Sequence, residues 1–456
     1  MKTIVGILLL VAVTTARASS LASLASLAGE ALAADAAFQS AEAAWRAAIE
    51  KAPQGRAGLL PQIGAQQLIY HNAVSIPGQT IPGYSTVGFT LSLNQPLFNW
   101  AAWETYEQGQ LYAMDADQAL AQAKQDLLLR VSQAYFDALD AQEAVTLAIN
   151  HRKAVAEQRA LAERRFALGD ATVVDKNEAQ AGFDAAQADE IAAQTRLDTS
   201  YAALQRIVGH PVNNVDGWRG DVHLPAVEPS DVESWVNAAM TSGYDVRRKM
   251  IATEIAGRER GKARAGHYPT VALVGNVNHG NAAFINGQAN FYTGGNRGTA
   301  GAIGIQISIP LTDGFMTQSR IREALALEDK AGHDLDDAQR GAGLTARDAY
   351  LGVTRGQAQT AALAAAVRSA SVALRSNQTG YRVGVRVNAD VLDAEDKLYR
   401  AQRDLAHARA ETVVQGLKLK ASTADLSEAD LTALDALLAE SDRAKRPQSD
   451  TGAARQ

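Results

Sequence analysis

Asp390 and Asp393 stand three residues apart, a spacing that puts both carboxylates on one face of a helix. A pair of acids so placed can attract a cation, cap the start of a helix or simply face water. The other reactive residue types lead away from catalysis. There is no cysteine, which excludes disulfides, thiolate metal sites and a lipid-modified amino-terminal Cys. The eight histidines are scattered without ligand spacing, and no nucleophile stands in a recognisable arrangement with a His and an acid. Gly169 and Gly384 lie in Phe166-Ala167-Leu168-Gly169-Asp170 and Tyr381-Arg382-Val383-Gly384-Val385, where they break helical patterns and do not open phosphate loops. The chain is therefore expected to be no enzyme and to hold no cofactor and no metal. Its chemistry is the placement of charge, which depends on the elements that carry it.

Those elements come in two copies. Tyr135 to Asp189 lies over Tyr350 to Asp404 without a gap, setting Phe166 on Tyr381, Gly169 on Gly384, Asp175 on Asp390 and Asp189 on Asp404. Around the breaks the pattern is helical. Leu127, Val131, Ala134, Ala138, Ala141, Val145 and Ala148 follow a heptad seam filled largely with Ala. Leu363, Val367, Ala370 and Leu374 repeat the device, as do Val391, Ala394, Leu398, Ala401, Leu405 and Ala408. No proline occurs from Asn99 to Arg165 or from Phe315 to Arg382, so each run can form a rod of roughly 100 Å.

Before each rod the period drops to 2. Val87 to Asn94 and Ala302 to Ile309 alternate apolar with small or polar residues, each running to a proline, Pro96 or Pro310. Partner strands are expected at about Leu60 to His71 and Tyr268 to His279, joined by turn-rich loops containing Pro77, Gly78, Pro82 and Gly83 in one half and Gly287, Gly294, Gly295 and Gly298 in the other. Ile303, Ile305, Ile307 and Ile309 with Gly304 and Ser308 opposite fit one face against lipid and one against water. Four strands cannot close a membrane barrel, which needs about eight, so they are either shared between chains or form a minor soluble sheet.

Composition agrees with a large folded body outside the cytoplasm. Of 456 residues 47% are hydrophobic and 21% charged, with a net charge of −6. Lys and Arg are dispersed among Asp and Glu, which excludes a nucleic-acid footprint. Lys2, the apolar run from Ile4 to Val13 and Ala16-Arg17-Ala18 read as a secretory signal. No later run approaches the ~20 apolar residues of a membrane helix, so insertion would have to use strands.

The second break and its surroundings, Gly380-Tyr381-Arg382-Val383-Gly384-Val385-Arg386 continuing through Asp390-Val391-Leu392-Asp393-Ala394, Leu398-Tyr399 and Leu405-Ala406-His407-Ala408-Arg409, closely resemble the second helical hairpin of the TolC-type outer-membrane channel family. Arg165 to Gly169 with Asp175 resembles the first hairpin, and Leu59-Leu60-Pro61-Gln62-Ile63-Gly64 the start of the first strand. The resemblance implies a mainly α fold with a membrane β-barrel: a homotrimer with an α-helical tunnel and one shared twelve-stranded barrel, four strands from each chain. The implied divisions are a signal peptide at 1–18, a first repeat at 19–210 with barrel strands at about 60–96 and a hairpin at about 99–208, an equatorial connecting segment at 211–266, a second repeat at 267–424 with strands at about 268–310 and a hairpin at about 315–422, and a polar tail at 425–456. Ser427 to Asp442 and Lys445 to Gln456 read as mobile, and Ser19 to Glu30 as a short Ser/Ala/Leu stretch where family members carry a further helical segment.

By the same resemblance the chain is located in the outer membrane and reaches into the periplasm. There it serves as exit duct for an inner-membrane ABC transporter or proton-driven pump, joined through a periplasmic adaptor. Type I protein secretion is preferred to small-molecule efflux because the second hairpin resembles the secretion branch more than the lipoprotein efflux branch. A non-conducting periplasmic coiled-coil tether is the reading from another class. The resemblance assigns Asp175, Tyr381 and Arg386 to a gate that links neighbouring helices, with Val174 where a hydroxyl residue stands in a family member, and it makes Asp390 and Asp393 a cation-selective ring at the entrance. Gly169 and Gly384 are the hairpin turns at the periplasmic tip.

Overall fold

The computed structural model describes residues 22–73, 75–80, 84–219, 226–280, 284–285, 288–289 and 298–438. The signal peptide, the loop residues Pro82, Gly83, Gly287, Gly294 and Gly295, and the polar end from Lys445 lie outside the described residues. The chain runs α1 (Leu24–Ala34), α2 (Ala36–Ile49), α3 (Lys51–Ala57), β1 (Gln62–Asn72), β2 (Ser75–Ile76), β3 (Gln79–Thr80), β4 (Tyr84–Phe98), α4 (Trp100–Ala167), α5 (Val173–Val208), α6 (Val232–Ser242), α7 (Tyr244–Ala265), β5 (Thr270–Gly280), β6 (Phe284–Ile285), β7 (Gln288–Ala289), β8 (Gly298–Ser308), α8 (Met316–Arg382), α9 (Asn388–Ser422) and α10 (Glu428–Asp435). It is a mainly α fold with one four-stranded sheet.

The two rods are single helices, α4 of 68 residues and α8 of 67. Each is followed by a returning helix, α5 or α9, packed along it, and α4 also packs on α9, which joins the two hairpins. Small seam residues permit this: Ala138, Ala141 and Ala148 of α4 and Ala394 and Ala408 of α9 are buried.

The sheet order is β1-β4-β5-β8, antiparallel throughout, so the central β4–β5 pair joins the two repeats. Register decides what each face shows. Ile63 pairs with Leu93, Leu93 with Gly275 and Gly275 with Ile303, while Leu273 pairs with Ile305 and Ile69 with Val87. This row makes one apolar face, and it is exposed: Ile303 is 73% and Ile63 72% accessible. The next register positions, Gln66, Thr90 and Asn278 or Gly64, Ser92 and Asn276, make the other face small and polar, where Thr90 Oγ1 donates to Asn278 Oδ1 at 2.7 Å. Such a two-sided sheet, apolar outward and wet inward, belongs to a membrane barrel. Its outer strands β1 and β8 each pair on one side within the chain. β4 passes Pro96 and ends at Phe98, because the register shifts between those two residues and absorbs the missing N–H. Among the described residues no helix is long and apolar enough to cross a membrane.

The apolar core sits midway along the helices, around Tyr135 and Phe136. Tyr135 Oη donates to the Asp216 carbonyl at 3.2 Å, Phe136 stacks on Trp218, and the repeat partner Tyr350 donates to the Ser230 carbonyl. Two sequence readings are corrected here. The stretch before Ala34 is a helix, α1, whose Leu24, Leu27 and Ala31 enter this core. Ser427 to Asp435 is not a mobile tail. It forms the cap and body of α10, with Leu431 and Leu438 fully buried, and the Asp435 carboxylate accepts from Leu24 N–H at 2.8 Å and Ala25 N–H at 3.0 Å. The carboxyl-terminal helix thus caps the amino-terminal one, and that tertiary contact orders both short segments.

Candidate functional site: the paired turns at the hairpin tip

The two turns are built alike. At the end of α4, Asp170 N–H reaches back to the Arg165 carbonyl at 2.8 Å and Gly169 takes φ +83°. At the end of α8, Val385 N–H reaches the Gly380 carbonyl at 2.9 Å and Gly384 takes φ +79°. In both, the left-handed residue after the last turn must be glycine or pay for a Cβ clash.

The acids that begin the returning helices are equivalent in the repeat but differ in their partners. Asp175 closes a full capping box: its Oδ2 accepts from Thr172 N–H at 2.9 Å and Thr172 Oγ1 at 2.8 Å, and Asp175 N–H donates back to that hydroxyl at 3.1 Å. Asp390 accepts from Val387 N–H at 3.4 Å, and where the first repeat has Thr172 the second has no hydroxyl. Its remaining charge meets Arg386, Nη1 to Oδ2 3.6 Å.

Of the residues assigned to the gate, Tyr381 is buried and lies under the Arg165 guanidinium, 4.7 Å from ring centroid to Cζ. This cation–π contact ties the second hairpin to the first inside one chain. Asp175 and Arg386 are not brought together within the chain. Asp175 bonds to Thr172, and Arg386 pairs with Asp390 of its own hairpin. Arg386 also lies across Gly380, whose missing side chain makes the room: a Cβ there would stand 2.7 Å from Arg386 Cγ. Asp390 and Asp393 do share one place, a groove between α8 and α9 of about 300 Å³ whose walls also carry Arg386, Lys397, Asn377, Ala370 and Ala373.

The sequence reading did not single out the buried polar residues just behind the tip. Asn388 is completely buried, with neither amide atom hydrogen-bonded. One helical repeat on, Glu395 is 5% exposed and faces Gln378 of α8 and Glu157 and Gln158 of α4. Burial pushes its carboxyl up to about 7, Glu157 pushes the same way, and the amides of Gln378 and Gln158 pull it down. Further along the same interface His151 of α4 stacks on Tyr399 of α9, centroids 4.6 Å apart and planes within 4°. Beyond it Asp140 of α4 binds both Arg196 of α5 (2.8 Å) and His407 of α9 (3.2 Å). Periodicity had suggested an Ala seam for α9. Asn388 and Glu395 on a buried face are the departure a sequence reader could have flagged, while the Arg165–Tyr381 contact has no local sequence signal.

No group here is arranged for bond making. The site can hold hairpins together through charge and cation–π contacts, and it can present charge to whatever passes.

Comparison with known proteins agrees with this architecture. The family model described as "Outer membrane efflux protein" matches residues 27–210 and 235–425. The chain is 31% identical over 412 residues to the alkaline protease secretion protein AprF of Pseudomonas aeruginosa, covering 88% of this chain and 84% of AprF. It is 29% identical to the outer membrane protein TolC of Vibrio cholerae, covering 86% of this chain and 88% of TolC. Among solved structures, the outer membrane protein VceC of Vibrio cholerae superposes with a TM-score of 0.75 at 21% identity, over 88% of this chain and 96% of VceC.

Proposed function

The chain belongs to the outer membrane efflux protein family, as an outer-membrane channel of TolC type, and on that premise we propose that it is the exit duct of a protein secretion system. The sheet carries the reading. An apolar face left open to the surroundings, a polar face opposite, and one unpaired edge at each side make one third of a closed barrel when three copies join edge to edge. The proposal is thus a homotrimer with a twelve-stranded barrel in outer-membrane lipid and a helical tunnel extending into the periplasm. Its helical tips meet a periplasmic adaptor and an inner-membrane ABC transporter. The likeness to AprF, whose name states protease secretion, favours a protein cargo. The family description, efflux, supports the second reading, small-molecule export by a proton-driven pump.

In the trimer, Asp175, Tyr381 and Arg386 act as a gate and Asp390 and Asp393 as the entrance ring. Within one chain, Arg165 over Tyr381 supplies a link between hairpins. Within the chain Asp175 is bound by Thr172 and Arg386 by Asp390, and in the proposed trimer their links to neighbouring helices come from another copy. A lone exposed pair contributes at most about 1 kcal/mol, so closure depends on three copies acting together. A partner that replaces these links opens the tip.

The test is planar-bilayer conductance of the purified trimer together with the extracellular protein profile of cells lacking the chain. Expected are small current steps that grow several-fold in Arg386→Ser, and loss of a secreted protein from the medium. Unchanged secretion with heightened sensitivity to small toxic compounds would select the efflux reading. Verified trimers that carry no current, wild type or variant, would leave the tether.

A further inference from the structure

The entrance groove holds one charge that neither the capping geometry nor the gate accounts for. Lys397 lies on α9 one turn beyond Asp393 and lines the same groove as Arg386, Asp390 and Asp393. The spacing from Asp390 to Asp393 to Lys397, three then four residues, keeps all three on one helix face. Asp393 and Lys397 are both exposed, and neither has an ion-pair partner among the described residues. The next charges along α9 neutralise one another: Asp396 with Arg400 at 2.8 Å and Arg403 with Asp404 at 3.1 Å. What remains to set the field at the groove is two acids and two bases.

Distance decides whether the lysine matters. Four residues of helix rise about 6 Å, less than the Debye length of about 8 Å at physiological salt. An ion at the level of Asp393 therefore still feels Lys397, more weakly than the adjacent carboxylate but with opposite sign, while Asp390 is already partly answered by Arg386.

We propose that Lys397 tunes the cation preference of the aspartate ring at the duct's periplasmic entrance, its ammonium partly offsetting the adjacent aspartates so that the preference is weak. This rests on the trimeric duct proposed above. Three copies then stack a ring of lysines directly behind two rings of aspartates. A mouth so balanced neither traps a basic segment nor repels an acidic one, which suits a polypeptide cargo of mixed charge better than strongly cationic selection would.

The experiment measures reversal potential across a potassium chloride gradient, and block by lanthanum ion, for wild type, Lys397→Gln, Lys397→Arg and Asp393→Asn trimers. The wild type is expected to show a cation-to-anion permeability ratio only modestly above one. Lys397→Gln should raise that ratio by about fivefold and tighten lanthanum block by about tenfold, with Lys397→Arg unchanged. Asp393→Asn should move the ratio toward anions. A Lys397→Gln ratio and block equal to those of wild type in conducting trimers would overturn the assignment of Lys397 alone. Absence of current from every folded trimer would remove the duct, and this inference with it.

Discussion

Asp175 and Asp390 occupy one position of the internal repeat, and the hydroxyl of Thr172 is what separates them. Asp175 is bound locally by three hydrogen bonds; Asp390 has one long one and a guanidinium. Thr172→Ala should therefore destabilise the first turn by about 1 kcal/mol, read as faster amide exchange at Val173 to Lys176, with little change at the second turn. Thr172-Val173-Val174-Asp175 spells a capping box that the sequence carried and the reading of Asp175 as a gate residue passed over. The Arg165–Tyr381 contact was not legible there, because it joins residues of different repeats through the fold. Glu395 should give the tip a pH response. Its carboxyl is pushed up to about 7 in the packed state against an ordinary value of 4.5, so between those values the packed state keeps a proton that the opened state has lost. Stability of the interface then falls as pH rises through that window and levels off above it, by a few kcal/mol in order of magnitude. Protection of amides near Glu395, relative to intrinsic exchange, should fall between pH 5 and about 7.5 in wild type and stay level in Glu395→Gln. Wild-type exchange with no excess pH dependence over the variant would sink the assignment.

The elements divide by length in how far the sequence foretold them. Rods of 68 and 67 residues announce themselves through proline-free heptads, and strands such as β8 through strict alternation. α1 and α10, of 11 and 8 residues, carry little intrinsic helical stability. They form because Leu24, Leu27, Leu431 and Leu438 share one core, and because Asp435 satisfies the first N–H groups of α1. Reading the carboxyl-terminal segment as a polar tail weighed its acids and missed that three leucines, Leu431, Leu434 and Leu438, fall on one face of it. Leu431→Ala should cost about 2 to 5 kcal/mol as a buried large-to-small change. Asp435→Ala should cost about 1 kcal/mol as a lost cap. Both should appear as lower melting temperatures of the helical signal, and removal of everything after Asp425 should loosen α1 to protease while leaving the hairpin tips protected.

At the scale of the whole molecule, the sheet is incomplete in one chain and its two faces are built for different solvents. Ile303, Ile305 and Ile307 project from the edge strand β8 onto the apolar face and are more than 60% exposed, a loss that water would not tolerate and lipid would repay. Asn276 and Asn278 of β5 project to the opposite face, among Ser92 and Thr90. The same charge must therefore have opposite consequences one register position apart. Ile305→Arg should destabilise the inserted barrel by about 2 to 4 kcal/mol per copy near the membrane midplane, tripled in a trimer, and so deplete outer-membrane trimers. Asn276→Arg, which meets water in the lumen, should leave trimer yield intact and alter only conductance. Quantifying trimer in outer-membrane fractions separates the two, since a soluble tether would tolerate both substitutions equally and a barrel turned inside out would reverse their order.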